Sequence, residues 1–246
     1  MAEIEAIRRY WNTRAEGYSL KTAYDLQHAE TIWLDRLRPF LPESGRLDVL
    51  DIGCGPGFFS ILLARLGHAV VAFDYTEGML ERALQNAAEA GVELEVSQGD
   101  AQSLPFPDAS FDLIVSRNLT WNLEQPERAY AEWLRVLRPG GSLVNFDGNH
   151  YRYLYSAPYE EERHQPDYTD GHDPDFMLGV DPAPINAIAA NLPLSRVDRP
   201  QWDMETLLAL ETDSVRTEVE RRHFVNEQGQ SVSIIKNFMI AARKKA

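Results

Sequence analysis

Apolar runs and helical patterns alternate over the first 150 residues of the chain. The apolar runs predict five buried strands, at 46–52, 69–74, 92–97, 111–116 and 142–146. Apolar residues at helical spacing predict helices at 57–66, at 77–90 and at about 125–137. Strands that alternate with helices pair in parallel through right-handed crossovers. This part of the chain therefore predicts an open α/β sheet with helices on both faces.

The pattern changes after residue 147. Residues 148–200 are rich in Pro, Asp, Tyr and His and show little periodicity, which is typical of a lid or small lobe inserted in a compact domain. A helical pattern returns at 204–210. Apolar strands at 215–225 and 232–241 then flank the turn NEQGQ, which predicts an antiparallel hairpin. The first forty residues predict helices over the edge of the sheet, from the apolar residues Ile7, Trp11, Tyr18, Ile32, Trp33, Leu37 and Phe40.

The charge balance limits the partners that the chain can bind. The 246 residues include 38 acidic and 24 basic side chains, for a formal net charge of -14. Because binding to phosphate backbones needs a positive field, we expect no nucleic-acid partner. Cys54 is the only cysteine, which excludes an internal disulfide and fits a reducing compartment. The sequence has no signal pattern and no apolar run of membrane length, so we predict a cytoplasmic protein without a membrane partner. It leaves the oligomeric state open.

A glycine cluster follows the first predicted strand, in the stretch VLDIGCGPGFF at 49–59. Glycines at a strand-to-helix turn let a ligand approach the backbone, and the start of the following helix offers free N–H groups. The dinucleotide fingerprint GxGxxG would need a third glycine at position 58, where the chain has Phe58. The phosphate-loop pattern GxxxxGK[ST] is absent from the sequence.

The motif DIGCGPG resembles the first motif of the class I S-adenosylmethionine-dependent methyltransferases, and further motifs of that family follow in order. Asp74 ends the second strand in FDYTEGML, and Asp100 follows the third in GDAQSLPFPDASFD. LRVLRPGG precedes the fifth strand as it does in the family, and the C-terminal hairpin matches the family's last strands. The resemblance covers residues 45–147 by motif and 210–243 by topology.

The resemblance implies S-adenosylmethionine as cofactor, with S-adenosylhomocysteine as product. It implies that Asp74 accepts hydrogen bonds from the ribose hydroxyls, that Asp100 accepts one from the adenine amino group, and that the loop after the fourth strand lines the methionine end. The expected cofactor residues are Asp51, Gly53, Cys54, Gly55, Gly57, Asp74, Tyr75, Met79, Asp100, Ala101, Arg117 and Asn118.

Several of these residues also have a purely structural interpretation. Asp74 could cap the helix that begins near Glu77, and Asp100 could start an ordinary turn. Tyr75 and Met79 could pack on the adenine or on the sheet. We expect Cys54 to be a small residue in a cramped loop rather than a nucleophile.

Methyl transfer from a sulfonium is an in-line displacement, and a hydroxyl or amine acceptor must also lose a proton. His150, three residues beyond the fifth strand, is the candidate base, although it could also be a solvated loop histidine. Two interpretations are open for the aromatic residues Tyr18, Trp121, Tyr151 and Tyr153. They could form an apolar wall over the reaction centre, or they could be structural aromatics under the lid. The segment HQPDYTDGHDPD at 164–175 fits no familiar zinc spacing, so we predict no metal.

We therefore predict an α/β fold with a doubly wound, mostly parallel seven-stranded sheet, a C-terminal antiparallel hairpin and an inserted lid. We divide the chain into an N-terminal helical cover (1–44), a cofactor-binding core (45–147), a substrate lid (148–200) and a C-terminal helix with strands that complete the core (201–246). The predicted function is methyl transfer to a small soluble acceptor, because NLTWNL departs from the Asn-Pro-Pro-Tyr type of motif that marks enzymes acting on bases or glutamine amides. The alternatives are a nicotinamide-dependent reductase and a non-catalytic cofactor-binding regulator or assembly protein.

Overall fold

The computed structural model describes residues 2–168 and 173–246 of the chain. Its strands are β1 (Asp48–Ile52), β2 (Ala69–Asp74), β3 (Glu95–Gln98), β4 (Phe111–Arg117), β5 (Leu137–Gly148), β6 (Thr212–Val225) and β7 (Ser231–Lys244). Its α-helices are α1 (Ala2–His28), α2 (Glu30–Leu37), α3 (Phe58–Arg65), α4 (Glu77–Glu89), α5 (Pro126–Val136), α6 (Ala157–Arg163), α7 (Pro174–Met177), α8 (Ala183–Ala189) and α9 (Gln201–Leu208).

The strands form one seven-stranded sheet in the order β3-β2-β1-β4-β5-β7-β6. The pairs among β1 to β5 are parallel, whereas β7 runs antiparallel to both β5 and β6. This arrangement confirms the predicted fold class. The strand order reverses between β1 and β4, and in such sheets ligands bind beyond the carboxyl ends of the strands at that point.

Each face of the sheet carries its own hydrophobic core. Successive residues of a strand point to opposite faces, and on β1 Leu50 joins one core while its neighbour Val49 joins the other. The first core contains Trp133 of α5, and the second contains Leu63 of α3. Because both faces are covered by helices, the central strands are apolar on both sides, which explains the continuous apolar runs of the sequence.

One predicted boundary, the start of the fifth strand, is wrong. The connection from β3 to β4 runs through turns over residues 99–110, where Pro105 and Pro107 disfavour a helix. The fifth strand is predicted to begin at 142, after RPGG. Instead β5 already begins at Leu137, which pairs with Phe111, and the register shifts before Leu113 pairs with Ser142.

The segment 148–200 contains short helices where the sequence showed little periodicity. Helices α6, α7 and α8 are seven, four and seven residues long, and each has a proline in its first turn. Proline is well tolerated at that position because its missing N–H would have no helical partner there. Helices of one or two turns are too short to produce a readable apolar repeat.

The N-terminal helix α1 connects the segment 148–200 to the sheet. It packs against α3 and α4 on one side and against α7 and α8 on the other. A separate hydrophobic cluster joins Ile7 and Tyr10 of α1 to Trp121, Tyr151 and Ile185. These contacts place α1 beside the carboxyl ends of the strands, where it forms part of the wall of the site described next.

Candidate active site

A cavity of about 350 Å³ lies beyond the carboxyl ends of the parallel strands. Its wall is built from residues at or just after the ends of β1 to β5, from α1, and from α6 and α8 of the inserted segment. The predicted site residues that line it are Asp51, Gly53, Cys54, Gly55, Asp74, Tyr75, Met79, Asp100, Ala101, Arg117, Asn118, Tyr18, Trp121, His150, Tyr151 and Tyr153. Gly57 is the one predicted site residue outside this lining.

The glycine loop combines a structural position with one that faces the cavity. Gly57 is the N-cap of α3 at φ +88°, and a Cβ there would lie 3.1 Å from the Cβ of Ala83. Gly57 is therefore needed for the close packing of α3 on α4. Gly55 has φ +51°, and a Cβ built on it would meet no protein atom within 4 Å although the residue lines the cavity. A side chain at position 55 would therefore enter the space available to a ligand.

Three backbone amides of this loop are already hydrogen-bonded within the protein. The N–H groups of Gly53 and Cys54 both donate to the carbonyl of Phe73, at 2.8 and 3.1 Å. The N–H of Gly55 donates to Asp74 Oδ2 at 2.9 Å. The left-handed glycine conformations turn these amides toward β2, so the loop is tied to the neighbouring strand. The ligand groups offered here are mainly carboxylate oxygens.

Replacing Gly55 with alanine is expected to weaken the binding of S-adenosylhomocysteine about tenfold. The added methyl group would occupy space that the ligand needs, and overpacking of this kind costs on the order of 1–3 kcal/mol. Gly67→Ala is the matched control. Gly67 also has a left-handed φ (+87°) and open space around its Cβ position, but it lies outside the cavity. Both variants carry similar backbone strain, so calorimetric titration should separate them. Equal affinities of the two variants would contradict this assignment of Gly55.

Asp51 is buried at the end of β1 and holds the start of α3. Its Oδ2 accepts hydrogen bonds from the N–H of Ser60 at 2.9 Å and from the Ser60 hydroxyl at 2.6 Å. Burial raises the pKa of the Asp51 carboxyl to about 6, in spite of these two bonds. Asp51 therefore has a structural role in addition to lining the cavity.

The raised pKa of Asp51 predicts a pH dependence of stability. The pKa is 3.8 in the ordinary case and about 6 in the fold, so the folded state binds the proton more tightly. This contribution to stability is present at low pH and is lost as the pH rises from about 4 to about 6. The free energy of unfolding of Asp51→Asn minus that of wild type should therefore increase by about 2 kcal/mol between pH 4.5 and pH 7.5. Urea denaturation of both proteins at the two pH values measures this difference, and parallel behaviour would contradict it.

Asp74 lies at the end of β2 and lines the cavity. Oδ2 accepts from Gly55 N–H at 2.9 Å and Oδ1 accepts from Thr76 N–H at 2.8 Å. Thr76 is the residue before α4, so Asp74 supports the start of that helix as the structural interpretation expected. Each oxygen retains a second lone pair that can accept a further bond. Burial raises the pKa of the Asp74 carboxyl, and the bonds from Thr76 and Gly55 oppose that rise.

Asp100 and its neighbours occupy the turn after β3. Asp100 Oδ1 accepts from the backbone and side-chain N–H groups of Gln102, both at 2.9 Å, which is the turn geometry named as the alternative. The carbonyl of Ala101 accepts from Trp133 Nε1 at 2.9 Å. Tyr75 and Met79 line the cavity, and the Tyr75 hydroxyl donates to Glu5 of α1 at 3.0 Å. Asp51, Asp74 and Asp100 thus surround one common space.

The end of β4 supplies Arg117 and Asn118. The Arg117 guanidinium lies 3.5 Å from Asp25 of α1 and over the ring of Phe58, 4.6 Å from its centroid. Burial lowers the pKa of Arg117, while Asp25 and Asp51 oppose that shift. Asn118 has φ +56°, and its carbonyl accepts from Trp121 Nε1 at 2.9 Å. This turn fixes the indole of Trp121 at the cavity wall.

Aromatic side chains form a second part of the cavity wall. The rings of Trp121 and Tyr151 are 5.0 Å apart and those of Tyr151 and Tyr153 are 6.1 Å apart, centroid to centroid. Trp11 of α1 packs edge-on against both Tyr18, at 5.4 Å, and Trp121, at 6.3 Å. These rings line the cavity and also take part in the packing of α1 and the inserted segment. The interpretation as an aromatic wall and the interpretation as structural packing are therefore compatible.

His150 lies against the aromatic wall, with about a third of its side chain exposed. Its Nε2 is 3.5 Å from Oδ1 of Asp147, and its ring lies 5.9 Å from that of Trp121. Asp147 itself is fully buried. Burial raises the pKa of Asp147, but Arg199 and His150 outweigh that effect and hold the pKa below its usual range.

A buried polar network that was not predicted from the sequence lies behind this wall. The Arg199 guanidinium donates to Asp147 Oδ2 at 2.9 Å, to Asp203 Oδ1 at 2.6 Å and to the Thr120 hydroxyl at 2.7 Å. Asp203 also accepts from the Tyr130 hydroxyl at 2.6 Å. Burial lowers the pKa of Arg199, but Asp147 and Asp203 outweigh it and hold that pKa above its usual range. Only the four-residue spacing of Arg199 and Asp203 is visible in the sequence.

Other cavity residues also went unpredicted. They come from α1, from the turn after β4 and from the inserted segment, and include Trp11, Asn122, Arg163, Ile185 and Asn186. In the ranges that the structure describes, no three His, Cys, Asp or Glu side chains lie together as a metal site would require. Residues 169–172, within the segment 164–175 considered for a metal, lie outside the described residues. Every helix within the described ranges is too short or too polar to span a lipid bilayer.

Comparison with known proteins finds a matching domain and partial relatives. Residues 50–145 match the family model described as a methyltransferase domain. The demethylmenaquinone methyltransferase of Clavibacter sepedonicus is 41% identical over 96 residues, which are 39% of this chain and 39% of that protein. The 27-O-demethylrifamycin SV methyltransferase of Amycolatopsis mediterranei is 37% identical over 137 residues, 52% of this chain and 48% of that protein. The matched part of the chain thus spans less than half the length of these curated relatives.

The fold comparison extends over more of the chain. The crystal structure of a SAM-dependent methyltransferase from Aquifex aeolicus aligns with a TM-score of 0.53 over 85% of this chain and 88% of that one, at 19% identity. At that identity the likeness concerns the fold alone. Together with the matched domain, it confirms the predicted resemblance. Residues 50–145 thus match a methyltransferase domain, and the chain shares its fold with S-adenosylmethionine-dependent methyltransferases.

Proposed function

We propose that this protein transfers a methyl group from S-adenosylmethionine to a small-molecule acceptor. The observation that carries the proposal is the convergence of Asp51, Asp74 and Asp100, from three neighbouring strand ends, on a single cavity that continues to an aromatic wall. Carboxylates suit the hydroxyl and amino donors of an adenosyl group because each oxygen accepts two hydrogen bonds. The open space at Gly55 gives the backbone room for the same ligand.

The residues fit the cofactor in the following way. Asp74 would accept from both ribose hydroxyls with the lone pairs left free by Gly55 and Thr76. Asp100 would accept from the adenine amino group through Oδ2, since Oδ1 is bonded to Gln102. Tyr75 and Met79 would contact the adenine, and the methionine end would lie toward Arg117 and Asn118. When bound, the cofactor supplies a methyl group activated by the sulfonium, whose sulfur keeps the electron pair of the broken bond.

The chain itself would supply orientation, exclusion of water and a base. The aromatic wall and α1 enclose the acceptor, which favours an aligned attack over hydrolysis. The carboxylate of Asp147 near Nε2 of His150 favours the tautomer with its proton on Nε2. Nδ1 would then accept the proton that a hydroxyl or amine acceptor loses as it gains the methyl group.

The size of the site and the charge of the chain favour a small acceptor. The cavity volume of about 350 Å³ lies within the range of small-molecule sites. Helices α6 and α8 contribute to its wall, so we propose that the segment 148–200 acts as the lid that selects the acceptor. The net charge of -14 disfavours nucleic-acid acceptors.

Calorimetric titration with S-adenosylmethionine, S-adenosylhomocysteine and reduced nicotinamide dinucleotide tests the cofactor. We expect micromolar or tighter binding of the first two and none of the third. Binding of the nicotinamide cofactor alone would overturn the proposal and favour the reductase alternative. A screen of small acceptors with a methyl-labelled donor then tests catalysis. Cofactor binding without transfer to any acceptor class would favour the non-catalytic alternative.

A further inference from the structure

The aromatic end of the cavity carries a row of three rings. Those of Trp121, Tyr151 and Tyr153 follow one another at interplanar angles of 36° and 38°. Ile7 of α1 and Ile185 of α8 also line the cavity and belong to the same hydrophobic cluster. A flat ring buried along this row would use both its apolar area and its stacking geometry.

The two ends of the cavity differ in charge. The acidic side chains that line it in the described ranges are Asp51, Asp74, Asp100 and Glu124. The first three form the cofactor end. The backbone next to Glu124 is tied to the cofactor end, because Gln125 donates its N–H to the same Gln102 that bonds Asp100. None of these carboxylates belongs to the aromatic row.

The aromatic end instead carries an arginine. The Arg163 guanidinium stacks on Tyr153, 4.1 Å from the ring centroid, and the side chain lines the cavity. Arg117, which also lines it, is close to Asp25, whereas Arg163 forms no ion pair within residues 2–168 and 173–246. A guanidinium held on an aromatic face still presents its N–H fork sideways to a carboxylate or a similar anion.

The same arrangement disfavours a cationic acceptor. Aromatic rows bind ammonium groups when their faces are free, but the face of Tyr153 is already covered by Arg163. A second cation at this end would be repelled by Arg163, and none of the carboxylates that line the cavity in residues 2–168 and 173–246 belongs to the aromatic row. An anion on a flat ring would gain both the stacking and the charge-assisted hydrogen bonds.

We propose that the methyl acceptor is a planar aromatic molecule that carries a carboxylate or similar anionic group, with Arg163 as the residue that selects the anion. This inference rests on the proposed function and deepens it. The ring packs along Trp121, Tyr151 and Tyr153, and the anion points away from the cofactor toward Arg163. The atom to be methylated is then at the opposite end of the ring, toward His150.

Four probes on protein saturated with S-adenosylhomocysteine test this assignment by calorimetry. They are 2-naphthoate, its neutral amide, the cationic 2-naphthylmethylammonium ion and the aliphatic anion octanoate. We expect 2-naphthoate to bind about tenfold more tightly than each of the others. Tighter binding of the amide or the ammonium ion would overturn the anion selection, and octanoate binding as tightly as 2-naphthoate would overturn the aromatic requirement.

Arg163→Gln identifies the residue responsible. It should abolish the preference for 2-naphthoate over its amide and leave the affinity for S-adenosylhomocysteine unchanged. Arg196→Gln is the matched control, because Arg196 stacks on Tyr155 at 5.1 Å but does not line the cavity. A preference that survives in Arg163→Gln, or that is lost equally in both variants, would overturn the role of Arg163. Failure of the proposed function would be recognised separately, by the absence of S-adenosylhomocysteine binding in wild type.

Discussion

Asp74→Asn is expected to weaken the binding of S-adenosylhomocysteine about a hundredfold or more. The ionised carboxylate of Asp74 would accept from two ribose hydroxyls while each oxygen keeps a backbone N–H. Asparagine offers one acceptor oxygen and no charge, and hydrogen bonds to a charged group contribute about 1.5–3 kcal/mol each. A loss of about 3 kcal/mol corresponds to roughly two orders of magnitude in the dissociation constant.

Calorimetric titration measures this change, with Asp112→Asn as the control. The carboxylate of Asp112 also accepts a backbone N–H, from Asp48 at 2.9 Å. Asp112 lies at the amino end of β4, however, and does not line the cavity. The control variant should bind S-adenosylhomocysteine like wild type. An affinity of Asp74→Asn within threefold of wild type would mean that Asp74 only supports the turn before α4.

Arg199→Met is expected to lower the free energy of unfolding by about 3–5 kcal/mol and the melting temperature by about 10 °C. The side chains of Asp147 and Asp203 are fully buried, and Arg199 is the guanidinium that pairs with both. Removing it leaves two buried carboxylates without their guanidinium partner, and the remaining donors, such as Trp121 N–H and the Tyr130 hydroxyl, offset only part of the desolvation. The buried hydroxyl of Thr120 also loses its guanidinium donor.

Urea denaturation measures this loss, and Arg138→Met is the matched control. Arg138 also bridges two carboxylates, those of Asp48 and Asp112, but more than a third of its side chain is exposed. Exposed ion pairs contribute at most about 1 kcal/mol, so the control should remain close to wild type. Similar losses in the two variants would show that burial does not determine the contribution of the Arg199 network.

The Arg199 network also helps to position residues at the acceptor end of the cavity. Trp121 donates its backbone N–H to Asp147 at 3.0 Å, and Asp147 lies beside His150. The same buried carboxylate therefore fixes a residue of the aromatic wall and the candidate base. Loss of Arg199 should therefore disturb the positions of Trp121 and His150 as well as lower the free energy of unfolding.

The cofactor end of the site could be predicted from the sequence because its signals are local. Asp51, Asp74 and Asp100 each occur at or just after an apolar run, and the rule that carboxyl ends of parallel strands meet at one edge brings them together. The fold class followed from the same alternation. Neither inference needs knowledge of contacts between distant segments.

The acceptor end could not be predicted in the same way because its contacts are long-range. Arg199 and Asp147 are separated by 52 positions, and nothing in the local pattern pairs them. Arg163 and Ile185 lie in helices of seven residues, which are too short for an apolar repeat to place them. The hydrogen bonds of the glycine loop were not predicted either, because their acceptors, Phe73 and Asp74, belong to the next strand.

A crystal structure of the protein with S-adenosylhomocysteine is the sharpest test of the cofactor site assigned to this cavity. We predict that the ribose hydroxyls contact Asp74, that the adenine amino group contacts Asp100, and that the sulfur faces the aromatic wall of Trp121 and Tyr151. A ligand bound elsewhere, or bound in this cavity with its ribose away from Asp74, would contradict the assignment.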